Sequence, residues 1–429
     1  MKSFIQDSFN ILNKNYNYCI LRNFKKLPDE IGNDIDILVQ KNQLEAITNT
    51  FLKIASQKDI ILIKTIRKYG YRGLYFFDKL NCQIILIDLF YVLQKRWKSY
   101  ADTQFLLSKK VKFKQFNVLH PCHELYTITM KELLTYGFVR EKYNSRFDEL
   151  NHKDFACASE NFICNNKRKV LIELIKNKKI FNPDLNYKPD LIKKKPLFNL
   201  INFFKYSFNY FYYCLINILK SSPIITLIGP DGVGKSTMAN FLKSELTTSN
   251  LFSRVKIFHH RFEIIPPLSY IFKKLKNPSN EKTKELSLYQ DKVHSVFRTI
   301  GYVMYYFLDY FLGWIVIFRS KLNNEAIIFD RYFFDFYIQN HYSSISTKFF
   351  DVFYFLIPKP KVIVFLYANP HVVVQRKKEL TLSQHLKQND KCLNILRNMT
   401  RNPIFINCNN TLTENKIKLI KYTIPKFFK

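Results

Sequence analysis

The sequence lacks the features that mark secreted, zinc-binding and repeat proteins. Its eight cysteines are scattered and contain no C-x-x-C pair. This argues against a zinc site or a disulfide framework and favours reduced thiols in a cytosolic protein. The first residues, MKSFIQDSFNILNKN, lack the apolar core of a signal peptide. No internal repeat is visible, so we expect a cytoplasmic protein whose 429 residues form two or three globular domains.

Acidic residues are also scarce. The chain has 34 Asp and Glu against 67 Lys and Arg, a formal net charge of +33. Such a charge favours anionic partners, namely nucleotides, nucleic acids or acidic lipid headgroups. Lys, Asn, Ile, Phe and Tyr are abundant together, which AT-rich coding also produces, so charge alone identifies no partner. The sequence shows no known nucleic-acid-binding motif, which argues against nucleic acid.

Residues 223–237, PIITLIGPDGVGKST, carry the most informative pattern. An apolar run leads into Gly229-x-x-x-x-Gly234-Lys235-Ser236, the pattern of a phosphate-binding P-loop. Lys235 is expected at the β- and γ-phosphates and Ser236 at Mg²⁺, with the following helix directing its positive end at the anion. The predicted nucleotide-binding residues here are Gly229, Asp231, Gly232, Gly234, Lys235, Ser236 and Thr237. The pattern predicts ATP and Mg²⁺ as cofactors.

The remainder of 221–429 alternates strands with helices, as a parallel α/β sheet requires. We predict a helix after Ser236. The five predicted strands are 224–228, 255–260, 326–330, 361–368 and 403–408. Ligands bind at the carboxyl ends of the strands in such sheets. Arg261, Asp330 and Arg331 follow or end predicted strands and are therefore candidate site residues.

Four segments together resemble the thymidylate kinase family over 221–429: GPDGVGKST, Arg261 in HHRF, Asp330-Arg331-Tyr332, and LYANPHVVVQRKKE. The resemblance implies that Asp330 holds the metal or its water shell and that Arg331 bridges the phosphates. It also implies that Arg261 binds the acceptor's anionic group and that Arg376 belongs to a lid with Lys377 and Lys378. The implied catalytic residues are Lys235, Asp330, Arg331 and Arg261, and the implied magnesium ligands are Ser236 and Asp330.

The segment after Arg261 departs from the family. Thymidylate kinases usually have Glu-Pro-Gly there, and this chain has FEIIPP at 262–267. We therefore expect a thymidylate-kinase-like fold that acts on a different acceptor.

Residues 1–95 carry a second pattern, which predicts an α+β domain. Asp34 and Asp36 are separated by one residue on an apolar strand, so both side chains point to the same face. A further apolar strand at 84–89 has Asp88 near its end, and three converging carboxylates can hold Mg²⁺. The pattern resembles the minimal nucleotidyltransferase fold. Arg22-Asn23 replaces that fold's Gly-Ser turn, which leaves activity open.

The region 96–220 is predicted to be mostly helical and to contain the linker between the domains. Segment 197–219 has a single charge, Lys205, and lysines on both sides. It suits either a helix lying on acidic lipids or a linker helix packed against a domain. A second apolar segment, 299–318, has Asp309 at its centre. Because a central charge is unfavourable in a bilayer, we predict a buried helix of the C-terminal domain.

The two modules together resemble proteins encoded with bacterial capsule and other surface-polysaccharide genes. This resemblance implies an ATP-dependent phosphotransferase that acts on an anionic small molecule, a sugar or a lipid-linked sugar, in the cytoplasm or at the membrane surface. Two alternatives remain: a deoxynucleoside monophosphate (dTMP) kinase, and a nucleotide-gated switch or nucleic-acid-binding protein. The sequence predicts no oligomeric state.

Overall fold

A computed structural model divides the chain into two compact units, Met1–Leu215 and Ile216–Lys429. The structure describes residues 1–32, 34–96, 98–149, 152–160, 162–163, 165–187, 196–219, 222–268, 295–339, 342–376, 381–399 and 402–428. Both units combine helices with β-sheet structure, and the sheet of the second unit is entirely parallel.

The first unit contains a seven-stranded mixed sheet and a separate two-stranded one. The strands are β1 (Tyr18–Ile20), β2 (Asp34–Val39), β3 (Ile60–Lys68), β4 (Tyr71–Asp78), β5 (Gln83–Phe90), β6 (Leu93–Lys95), β7 (Lys98–Ala101), β8 (Lys110–Phe113) and β9 (Phe116–Leu119). The order in the large sheet is β3-β4-β5-β2-β1-β9-β8, and β6 pairs with β7. The β2–β5 and β1–β9 pairs are parallel, and the other pairs are antiparallel.

The large sheet continues past residue 95, the predicted end of the first domain, which corrects that boundary. The reason is the pairing of β9 with β1, in which Ile20 lies beside Val118. The region 96–220 is therefore helical mainly after Leu119. The helices that the structure describes up to residue 219 are α1 (Lys2–Asn15), α2 (Leu44–Ser56), α3 (Thr103–Ser108), α4 (Pro121–Tyr136), α5 (Asn144–Glu149), α6 (His152–Ser159), α7 (Asn165–Lys176) and α8 (Pro196–Leu219).

Alternation along the strands separates two hydrophobic cores in the first unit. Ile35 and Ile37 of β2 lie in the core that also holds residues of α1 and α2. Leu38 lies in the core on the opposite face, with residues of α4, α6 and α7. Asp34 and Asp36 alternate with the isoleucines, so the carboxylates share the α4 face with Leu38.

The second unit has a five-stranded parallel sheet in the order β11-β12-β10-β13-β14, which confirms the predicted parallel α/β architecture. Its strands are β10 (Ile224–Ile228), β11 (Arg254–Phe258), β12 (Glu325–Asp330), β13 (Val362–Tyr367) and β14 (Ile404–Asn407). Its described helices are α9 (Lys235–Thr248), α10 (Val296–Leu322), α11 (Asp335–Ile338), α12 (Thr347–Leu356), α13 (Pro370–Arg376), α14 (Leu382–Met399) and α15 (Leu412–Phe428). Strands β10 and β12 are buried along their whole length, as expected of apolar strands in a parallel sheet.

Helix α10 corrects the prediction of a buried helix at 299–318. One face is buried, including Val303, Tyr310 and Ile317, whereas Phe311 and Ile315 on the other face are 48% and 65% exposed. The apolar sequence runs round the whole helix, so its composition did not indicate which face is covered. Among the described residues, α10 is also the one helix that passes as a candidate membrane span by length and composition, a test that buried core helices pass as well.

Candidate functional site

The glycine-rich loop between β10 and α9 has a backbone that only glycine fits at key positions. A Cβ on Gly229 would lie 2.3 Å from the carbonyl oxygen of Leu366. Gly232 and Gly234 have φ values of 82° and 101°, in the left-handed region that glycine adopts without strain. Gly234 is also the N-cap of α9, directly before its first residue, Lys235. The loop therefore leads directly into a helix N-terminus, which favours a bound anion.

Lys235 turns its side chain back over this loop. Its Nζ donates hydrogen bonds to the carbonyl oxygens of Gly229 at 2.9 Å and Pro230 at 2.8 Å, and lies 3.4 Å from Oδ1 of Asp231. The side chain is only 6% exposed. A buried ammonium group is thus fixed beside the loop, where it can contact an anion that the loop binds.

Asp330 lies next to the loop because β12 pairs with β10, with Leu227 opposite Asp330. Its Oδ2 accepts a hydrogen bond from Ser236 Oγ and lies 3.5 Å from Nδ1 of His259. Burial opposes ionisation of Asp330, but the His259 and Ser236 hydrogen bonds lower its pKa below the ordinary value. The group is therefore ionised at neutral pH.

The residues present fit a magnesium ion. Oδ1 of Asp330 is buried and has no hydrogen-bond partner in the part of the chain that the structure describes. A carboxylate and the neighbouring Ser236 hydroxyl are hard oxygen ligands of the kind Mg²⁺ prefers. Thr237 follows Ser236 in the first turn of α9 and is exposed.

Arg331 connects the end of β12 to the glycine-rich loop. Its guanidinium group forms an ion pair with Asp231 in the loop, and its Nη1 lies 3.2 Å from Oδ2 of Asp335. Its φ is 77°, a left-handed conformation that is strained for a residue with a Cβ. Burial opposes ionisation of Asp231, but Lys235 and Arg331 lower the pKa of that carboxyl.

Arg261 follows β11, which lies two strands from β10 in the sheet. Its Nη1 donates a hydrogen bond to the carbonyl oxygen of Ile265 at 2.5 Å, and its charged partner is Asp309. The guanidinium Nη1 lies 3.4 Å from Asp309 Oδ1, and the group sits 5.2 Å from the ring centre of Tyr306. Asp309 is fully buried and accepts hydrogen bonds from all three backbone N–H groups of 263–265, at 2.7 to 3.0 Å. The Asp309 carboxylate, in the middle of α10, therefore holds the backbone of 263–265 in place after Arg261.

Four groups around these residues were not predicted from the sequence: His259, His260, Asp335 and Gln388. His259 and His260 follow β11, and the Nδ1 of His260 lies 3.8 Å from Oδ2 of Asp335. Burial lowers the pKa of His260, which keeps the imidazole neutral at neutral pH. Gln388 of α14 accepts a hydrogen bond from the backbone N–H of Asp231 at 3.2 Å. The position of both histidines at a strand end was a usable signal, whereas nothing in the sequence marked Gln388.

The predicted lid lies largely outside the described residues. Arg376 is the last residue of α13, and its side chain is not among the described groups. Lys377 and Lys378 fall outside the described residues altogether. The lid remains a prediction.

The structure brings the three acidic residues of the first unit together. Carboxylate oxygens of Asp34, Asp36 and Asp88 all lie within 4.8 Å of one another. The cause is the parallel register of β2 and β5, which places Asp36 beside Asp88. Arg22 Nε lies 2.5 Å from Asp36 Oδ2, and the Tyr71 hydroxyl donates to Asp88 Oδ1 at 2.6 Å.

Mutual repulsion and burial dominate the electrostatics of this acidic cluster. Burial, and then the neighbouring Asp36, raise the pKa of Asp88 to about 7. The same two causes raise the pKa of Asp34. Burial lowers the pKa of the adjacent Lys131, although the carboxylates oppose that shift. A divalent cation is a hard, multiply charged partner that would relieve the repulsion, so the residues fit one.

Comparisons of the chain with models of known protein families and with curated proteins find no match. The resemblances to thymidylate kinases and nucleotidyltransferases therefore remain predictions from the motifs.

Proposed function

We propose that the second unit is an ATP- and Mg²⁺-dependent phosphotransferase. The observation that carries this proposal is the cluster formed by Lys235, Ser236, Asp330 and Arg331 around the glycine-rich loop, at the carboxyl edge of a parallel sheet. That edge is where open parallel sheets bind their ligands. Phosphoryl transfer demands mainly positioning and charge neutralisation, and these four groups supply both.

In this proposal each group acts on the triphosphate through its charge or its hydrogen bonds. The loop amides and Lys235 bind the β- and γ-phosphates, while Ser236 and Asp330 hold Mg²⁺ or its water shell. The Arg331 guanidinium leaves its ion pair with Asp231 and binds the phosphoryl group that is transferred. The magnesium ion neutralises charge on the phosphates when bound.

The acceptor in this proposal carries an anionic group that binds Arg261. The guanidinium is held by Asp309 and Tyr306 rather than extended into solvent, and its side chain is 10% exposed. We propose an anionic small molecule, a sugar or a lipid-linked sugar, in the synthesis of a surface polysaccharide. The motif order also keeps dTMP as a second candidate, and transfer to dTMP at about 1–100 per second would favour it.

Calorimetric titration with MgATP tests the nucleotide site. We expect Lys235→Ala to weaken binding by at least about tenfold, because hydrogen bonds between charged groups contribute about 1.5–3 kcal/mol. Lys243→Ala is the matched control, since Lys243 is an exposed lysine of the same helix. Equal MgATP affinities in the wild type and both variants would overturn the proposal.

For the first unit we propose a divalent-cation site that serves nucleotidyl transfer, carried by the convergence of Asp34, Asp36 and Asp88. Two carboxylates and a third from a neighbouring strand can hold Mg²⁺ for attack on an α-phosphate. Arg22, already at Asp36, would replace a Gly-Ser turn in binding the triphosphate. Titration with Mn²⁺ followed by electron paramagnetic resonance tests this: Asp36→Asn should bind one Mn²⁺ fewer than the wild type, and the exposed Asp7→Asn should match the wild type.

A further inference from the structure

The exposed side of α10 and α12 forms an apolar surface in the second unit, here called the aromatic face. Its members are all more than two-fifths exposed: Met304, Leu308, Phe311, Trp314, Ile315 and Phe318 of α10, and Val352, Phe355 and Leu356 of α12. The two helices are joined along this face, since Trp314 Nε1 donates to the carbonyl oxygen of Leu356 at 3.0 Å. A contiguous apolar surface of this kind marks an interaction site.

The charges of these two helices are mostly positive, and their one exposed carboxylate, Asp351 of α12, accepts a hydrogen bond from the Tyr337 hydroxyl at 3.0 Å. Exposed cations lie near both ends of α10, with Arg298 at the start and Arg319 near the end. On the α12 side, Lys359 Nζ lies 5.3 Å from the ring centre of Phe355, which is 75% exposed. The only acidic residue within α10 is Asp309, and it is fully buried.

We infer that the aromatic face docks on an acidic membrane surface. Apolar side chains at the headgroup level with cations at the periphery are the arrangement of helices that lie in a bilayer interface. The charge distribution argues against a second copy as the occupant. Pairing α10 with another α10 would place Arg298 beside Arg319 or beside another Arg298. The exposed cations of α10 and α12, Arg298, Arg319 and Lys348, also outnumber the one exposed carboxylate of these helices, Asp351.

The helix would lie along the membrane rather than cross it. Its opposite side, including Val303 and Tyr310, belongs to the hydrophobic core of the second unit. At Gly313 an added Cβ would be 2.3 Å from the ring of Phe262, so the helix packs closely on the domain. Insertion across a bilayer would also strip Asp309 of its hydrogen bonds, which is strongly unfavourable.

Co-sedimentation of the full chain with vesicles tests this inference without ATP, so its outcome is independent of the proposed phosphotransfer. We expect binding to phosphatidylcholine vesicles that contain phosphatidylglycerol, weaker binding to phosphatidylcholine alone, and a decrease as salt is added. The double variant Phe311→Ser/Ile315→Ser should weaken binding by at least about tenfold. Leu412→Ser/Tyr422→Ser is the control, because both residues are 50% exposed on α15.

The two tryptophans of the chain allow the contact to be located. In a Trp97→Phe background, Trp314 is the only tryptophan and reports on the aromatic face. Its fluorescence should shift to the blue on vesicle binding and be quenched by brominated acyl chains. Vesicle binding without quenching would overturn the inference and assign the contact to another segment, such as α8. A stable dimer that the α10 double variant dissociates would overturn it too, in favour of a second copy.

Discussion

The guanidinium group of Arg331 forms an ion pair with the carboxylate of Asp231, one hundred residues earlier in the chain. This pair ties the end of β12 to the glycine-rich loop and is maintained although Arg331 adopts a left-handed backbone conformation. Strain retained beside a charged loop is typical of functional sites, where the surrounding structure holds a residue in place.

The strain at Arg331 can be separated from its charge. Arg331→Ala and Arg331→Gly both remove the guanidinium, but only glycine adopts a φ of 77° freely. We expect the alanine variant to be less stable than the glycine variant by about 1 kcal/mol. Urea unfolding of the second unit, followed by Trp314 fluorescence in a Trp97→Phe background, measures the difference. Equal stability of the two variants would show that the backbone there is unstrained.

Gly229→Ala should damage the loop severely, because the new Cβ would meet the Leu366 carbonyl oxygen at 2.3 Å. We expect the free energy of unfolding to fall by about 2–4 kcal/mol and MgATP binding to be lost. Gly301→Ala is the matched control, since no atom lies within 4 Å of its Cβ position and it sits inside α10. That substitution should stabilise the unit by about 0.5–1 kcal/mol. The prediction fails when both variants unfold at the same urea concentration.

Asp309→Asn tests the role of the buried carboxylate. Asparagine has one acceptor oxygen where Asp309 uses both oxygens, and it leaves Arg261 without its charged partner. We expect a loss of about 2–4 kcal/mol in the free energy of unfolding and weaker acceptor binding. Asp351→Asn, an exposed change on α12, should alter stability by less than about 0.5 kcal/mol. An Asp309→Asn variant as stable as the control would refute the structural role.

The acidic cluster predicts a pH-dependent stability of the first unit. The pKa of Asp88 is about 7 in the folded protein against an ordinary value of 3.8. Between these values the folded state holds a proton that the unfolded state has released, so the free energy of unfolding decreases as pH rises and levels off above 7. In the presence of a chelator, Asp88→Asn should therefore be more stable than the wild type at about pH 8, by about 2–4 kcal/mol, and nearly equal to it at about pH 4.

Urea unfolding at both pH values, followed by circular dichroism, checks this expectation. Adding Mn²⁺ at the higher pH should stabilise the wild type more than Asp88→Asn. A wild type whose stability relative to Asp88→Asn does not vary with pH would contradict the assigned pKa. Asp7→Asn, an exposed change on α1, should follow the wild type throughout.

The second sheet could be predicted because its signals are local. Each of the five strands is a short apolar run, and predicted strand 326–330 differs from β12 by a single residue at its start. Charged residues at strand ends located Arg261, Asp330 and Arg331. The spacing of Asp34 and Asp36 likewise predicted that both side chains lie on the same face of their strand, without knowledge of which strands pair with it.

The remaining contacts depend on long-range packing that the sequence does not encode locally. Asp309 accepts hydrogen bonds from the backbone of 263–265, which lies more than forty residues earlier in the chain. Its position in the sequence gave no sign of these contacts and argued only against a membrane span. Strand β9 joins the first sheet through one pairing with β1, which extends that sheet beyond the predicted domain end. The uncovered face of α10 could not be predicted because both sides of the helix are apolar.

The proposed phosphotransferase activity can be measured as transfer of the γ-phosphate of ATP to an acceptor. Phosphorus NMR would follow the purified chain with MgATP and a panel of dTMP, other nucleoside monophosphates, sugars and a membrane-lipid extract. We expect a new phosphate resonance on a sugar or lipid acceptor, abolished in Lys235→Ala and Arg331→Ala and retained in Lys243→Ala. Tight MgATP binding with no transfer to any acceptor, or full transfer in the Lys235→Ala variant, would contradict the proposed activity.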